Sequence, residues 1–147
     1  MKTKGLKGID VVMKNLNKFV LEEKQKSFKG LIECGIAIRR ETEKGSVITP
    51  LETSHLTNSW FITTITSSMA ESEADKAVVA EAQSLTKAKK YPTMIFGYTA
   101  NYASYVHEMA GVEWSRPGSG SYWLFKAMRK TEKEMLEILK ENLEIKE

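Results

Sequence analysis

From Asp10 to Glu43 the sequence keeps one period. Val12, Met13, Leu16, Phe19, Val20, Phe28, Leu31, Ile32, Ile36 and Ile38 recur close to helical spacing. A helix of about thirty residues is roughly 45 Å long, more than a domain of 147 residues needs for its own core. The spacing therefore predicts a long N-terminal helix, part of which projects or packs against another chain. Asp10, with Gly8 just ahead, is the expected N-cap, its carboxylate accepting from the free amides of the first turn. Gly30 and Gly35 each cost about 1 kcal/mol relative to alanine in a helix interior. Either the helix bends there or a neighbour packs close on the glycine side; the favoured reading is one long helix, with a kink near Gly30 left open. Gly45 ends the helix.

The next segment, TPLETSHLTNSW, offers Thr53 and Ser54 as caps and places Leu56, Ser59 and Trp60 on one side of a short helical turn. Phe61-Thr63-Ile65 then alternates against Ile62-Thr64-Thr66, the period of a strand. AESEADK reads as a polar turn leading into a second strand over Lys76 to Gln83, and Pro92 to Tyr98 supplies a third. After Gly97 the period changes again: Tyr102, Tyr105, Val106 and Met109 share a helix face, and Ala103 lets that face sit close to its neighbour. Tyr102 and Tyr105 are expected as large anchors, with His107-Glu108 at a surface or subunit edge. Residues 110–121, rich in glycine and serine, read as a flexible loop in which Trp114 and Arg116 are either exposed contacts or a local tether. Tyr122 to Glu144 is a second amphipathic helix with Leu124, Ala127, Met128, Thr131, Met135, Ile138, Leu139 and Leu143 as its stripe, capped by Ser119 or Ser121. The fold class expected is α+β: a long N-terminal helix and a C-terminal helix on a small, mainly antiparallel sheet, in a single domain over 1–147 with a flexible 1–9.

Several chemistries find no support in these residues. His107-Glu108 opens the zinc-protease pattern, but the second histidine it needs would fall at position 111, which is Gly. Ser54 and His55 are neighbours, which does not present nucleophile to base, and no GxSxG elbow is near. Cys34 is the one cysteine and falls in a helical pattern, as a small buried thiol does, so neither a disulfide nor a cysteine-based metal cluster is expected. No enzyme and no cofactor is expected. No apolar run approaches the eighteen or so residues of a membrane span, and MKTKGLKGIDVV lacks the apolar core of a secretory signal, so a cytoplasmic origin is expected. Residues 1–30 hold eight lysines against Asp10, Glu22 and Glu23. That excess, with Lys87, Lys89 and Lys90, would suit contact with nucleic acid or merely a solvated helix face.

The order of parts resembles the small head-to-tail joining and tail-completion proteins of long-tailed bacteriophages and prophages. The matching positions are Thr49, Pro50, Thr53, Leu56, Asn58 and Ser59 in a TP-x-x-T-x-x-L-x-x-S segment, and Tyr102, Ala103, Val106 and Glu108 in a YA-x-x-V-x-E turn. The family more often has Gly where this chain has Ser54, and a basic residue where it has Thr57. The resemblance implies a structural virion protein made in the bacterial cytoplasm, without catalysis. It would assemble as a ring of about six or twelve copies that joins portal, neck and tail-tube proteins, with incidental contact to DNA in the channel. Trp60, Tyr105, Trp114 and Arg116 join the motif positions as candidate interface residues. The alternative reading is a small basic nucleic-acid-binding protein.

Overall fold

A computed structural model describes residues 8–50 and 54–145. Helix α1 runs unbroken from Ile9 to Lys44, about 54 Å at 1.5 Å per residue. Gly8 takes the N-cap position without a side-chain hydrogen bond, so the expected cap at Asp10 moves into the first turn, where its negative charge still favours the helix dipole. The two glycines serve close approach. A Cβ on Gly30 would lie 3.1 Å from Leu139 Cδ2, and one on Gly35 would lie 1.8 Å from Ile62 Cδ1.

Helix α2 (Ser54–Asn58) leads into strand β1 (Trp60–Thr63), followed by β2 (Ser68–Ala70), helix α3 (Lys76–Lys87), strand β3 (Ile95–Tyr98), the short α4 (Ala103–Glu108) and the long α5 (Trp123–Leu143). The architecture is α+β, with both long helices and a three-stranded antiparallel sheet in the order β2-β1-β3. Register pairs Ile62 with Met69 on one side and with Phe96 on the other. All four residues of β1 are buried, because a helix covers each face. Trp60 and Ile62 point towards α1, with the Arg39 guanidinium 5.2 Å from the Trp60 ring and Ile62 against Gly35. Phe61 points the other way and packs with Val79 and Ala82 of α3.

The strand expected over Lys76 to Gln83 is instead α3. Asp75 Oδ1 accepts from the amides of Ala77 (2.8 Å) and Val78 (3.3 Å), and Val79, Ala82 and Thr86 are buried at helical spacing. The second strand lies earlier, at Ser68–Ala70, where the sequence reads as the approach to a polar turn; all three of its residues are exposed, as a short edge strand allows.

Helix α5 runs back along the C-terminal half of α1. Cys34 Sγ donates to the Met135 carbonyl at 3.5 Å, Asn142 Nδ2 donates to Glu33 at 2.7 Å, Arg40 pairs with Glu134, and Lys130 pairs with Glu41 at 2.8 Å. Neither serine caps α5: Tyr122 occupies the N-cap at φ 57°, its amide donating to the His107 carbonyl at 2.6 Å. At the far end of this pair Lys26 meets Glu144. Among the described residues, nothing covers α1 from Ile9 to about Gln25.

Candidate functional site

The two sequence motifs meet in one place. Leu56, Ala100 and Trp123 form a buried cluster against which Tyr98, Tyr102, Ala103 and Val106 pack. Ser59, fully buried, donates its hydroxyl to the Leu56 carbonyl at 2.8 Å and accepts the Ala100 amide at 3.2 Å, which locks the end of α2 to the start of the corner. Thr49, also fully buried, takes Thr42 as backbone partner at 2.9 Å and shares a 2.9 Å hydrogen bond with the Tyr98 hydroxyl. Trp60 is buried at the sheet centre. Leu56, Ser59, Trp60, Ala103 and Val106 thus build and hold the corner; Thr53 lies outside the described residues.

The expected pair of aromatic anchors is half right. Tyr102 is partly buried and packs on the cluster, whereas Tyr105 is 69% exposed. A helix of six residues has only one inward face, and Tyr102, Ala103 and Val106 fill it. The buried anchor is Trp123, 1% exposed, with ring contacts to Tyr98 at 6.0 Å and His107 at 4.8 Å. His107 is half-buried: its ring is wedged between Trp123 and Tyr122, and burial pushes its pKa below the usual 6.5. Glu108 is exposed.

Arg116 acts as a tether. Its guanidinium donates to the Glu43 carbonyl at 3.0 Å and the Thr49 carbonyl at 3.4 Å, and Ile48 donates its amide to the Gly118 carbonyl at 3.0 Å. Segment 110–121 is thereby hydrogen-bonded to the end of α1, with Trp114 partly buried within it.

Away from the corner, His55 Nδ1 lies 2.6 Å from Glu73 Oε2, and Asn58 Nδ2 donates to the other oxygen of that carboxylate at 3.3 Å. The hydrogen bond from His55, then that from Asn58, holds the Glu73 carboxyl below its usual pKa. This exposed pair borders a groove with Asp75, Thr99 and Asn101. The imidazole turns to Glu73 rather than to neighbouring Ser54, so the arrangement is a hydrogen-bonded latch between α2 and the turn before α3. Among the described residues, no group of three or more His, Cys, Asp or Glu side chains is placed to hold a metal ion, and no helix is long and apolar enough to cross a membrane. The Cys34 thiol is raised in pKa chiefly by burial, the opposite of what a reactive thiolate needs.

Among the described residues, a broad apolar surface on α1 has no covering. Ile9, Val12, Met13, Leu16, Phe19 and Val20 share one side of the helix and are each between 42% and 62% exposed, with Val11 and Leu21 exposed on the other side. Contiguous apolar patches like the first mark interaction sites. Several lysines nearby are matched by carboxylates: Lys18 with Glu22, Lys26 with Glu23 and Glu144, and Lys29 with Glu33. The sequence matches no protein-family model, no curated protein and no solved structure.

Proposed function

We propose that this chain is a structural component of a tailed phage or prophage particle, working at the head-tail connection or in tail completion as one subunit of a ring. The observation that carries the reading is the bare apolar stretch of α1, a surface that has no use in an isolated subunit and is what an assembly subunit needs. The motif order around Thr49 to Ser59 and Tyr102 to Glu108 supports the same reading through the family it resembles. Exposed Tyr105 and Glu108, at the outer side of the corner, supply a second contact surface remote in sequence from α1. Two different patches on one subunit are what a closed ring requires. Lys18, Lys26 and Lys29 of α1 are paired with carboxylates, which lowers the positive charge these positions would offer to a nucleic acid.

The test is genetic. Deleting the gene from the phage or prophage that carries it, inducing, and imaging the lysate should show filled heads and separate tails. Fully joined, infectious particles from the deletion would overturn the proposal.

A further inference from the structure

The face of α1 that α5 covers is made of Gly30, Cys34, Ala37 and Glu41. Steps of about 100° per residue carry the same face back through Val12, Leu16 and Phe19, with Ile9 at its margin. One stripe therefore runs the length of the helix. Its C-terminal half is covered by α5, and its N-terminal half lies open, with Ile9, Val12, Leu16 and Phe19 between 46% and 62% exposed. Among the described residues, the lane beside that open half is empty, beginning where α5 stops at Leu143. The lane is as long as the bare helix, about 25 Å from Ile9 to Gln25 at 1.5 Å per residue.

We infer that in the free protein this lane is filled by the same segment of a second copy, running antiparallel, so that two α1 helices pair through Ile9 to Phe19 about a two-fold axis near their middle. Three features single out this occupant. The direction matches the partner that α1 already has, since α5 is antiparallel to it. The length suffices: in this register the partner's Ile9 lies opposite Phe19, so each segment covers the apolar stretch of the other and stops short of its α5. The stripe matches itself. Layers of Ile9 against Phe19 and Val12 against Leu16 are apolar throughout, with Met13 and Val20 flanking them. Burying these side chains from both copies removes roughly 1,000 Å² from water, at the lower limit for a specific interface. An interface at that limit suits a weak, reversible pair, with a dissociation constant expected in the micromolar range.

The inference does not rest on the joining role. If that role holds, subunits on a particle axis all point one way, so the pair separates before a ring closes and the stripe gains new neighbours there.

Sedimentation equilibrium of the full chain tests it. The parent should move from one to two copies as concentration rises through the micromolar range. Leu16→Asp with Phe19→Asp should raise the dissociation constant at least a hundredfold, with the thermal unfolding of the body unchanged because neither residue touches it. For orientation, a short bismaleimide should join Ile9→Cys copies to Phe19→Cys copies and neither to its own kind, the parent with buried Cys34 serving as control. A parent that stays monomeric at roughly 100 µM, an assembly of more than two copies, a dimer indifferent to the double substitution, or cross-linking of like with like would each overturn the pairing.

Discussion

Gly35→Ala should destabilise the protein by about 1 to 2 kcal/mol, although alanine is the better helix former. The added Cβ would fall 1.8 Å from Ile62 Cδ1, 3.0 Å from its Cγ1 and 3.2 Å from Met94 Sδ. Ile62 has no exposed surface, so its δ-methyl has no free space to move into. Overpacking costs about 1 to 3 kcal/mol, and an approach of 1.8 Å to a side chain with no room to move belongs in the upper half, about 2 to 3 kcal/mol, against a gain of about 1 kcal/mol from helix propensity. Gly30→Ala makes the contrast: its nearest neighbours, Leu139 Cδ2 at 3.1 Å and Asn142 Cβ at 3.3 Å, lie on a half-exposed helix that can yield by a few tenths of an ångström. That substitution should be neutral within about 0.5 kcal/mol. Ile62→Val, which removes the clashing methyl, should cost about 1 kcal/mol in the parent and nothing in the Gly35→Ala background. Urea unfolding of the four proteins gives the coupling directly, with at least about 1 kcal/mol expected. A Gly35→Ala protein as stable as the parent, or zero coupling to Ile62, would refute the close approach of α1 to β1.

Trp123→Ala should cost about 3 to 5 kcal/mol as the loss of a buried aromatic, while Tyr105→Ala should stay within about 0.5 kcal/mol of the parent; urea unfolding separates the two, and a large loss at Tyr105 would contradict its exposed position. Stability should also fall as the pH drops below the usual histidine pKa of 6.5, because the unfolded chain then takes up a proton at His107 that the folded chain, with its lowered pKa, resists. His107→Phe should flatten that part of the stability profile, measured by urea midpoints between pH 5 and 8, and an unchanged slope would count against the half-buried histidine.

Both long helices were legible because their stripes persist over many turns, and so was the bare end of α1, from length alone. The strand β1 was legible in type but not in burial: alternation in Phe61 to Thr66 sorts side chains between α1 and α3 rather than between core and water. Helix α3 was misread because Val78-Val79 favours a strand locally, whereas the Asp75 cap and the spacing of Val79, Ala82 and Thr86 decide for a helix. Strand β2 carries no signal at all, since Ser68-Met69-Ala70 is wholly exposed and pairs only because β1 offers an edge. Much of the interior is hydroxylic: Thr42, Thr49, Ser59, Thr63, Thr64 and Thr131 are buried. Their hydrogen bonds are satisfied by nearby backbone or by other hydroxyls, Tyr98 for Thr49, Ser68 for Thr63 and Thr66 for Thr64, so a search for apolar stripes passes over them. The link from His55 to Glu73 likewise has no local signature, because the turn before α3 creates it.

The claim that most needs testing is that this chain joins heads to tails. Purified protein can be added to a deletion lysate holding filled heads and free tails, and joined particles counted by electron microscopy and by plaque titre. The account predicts that the parent protein restores joining in proportion to the amount added, and that Leu16→Asp with Phe19→Asp restores little. Heads and tails that remain separate at every concentration of a folded parent protein would contradict it.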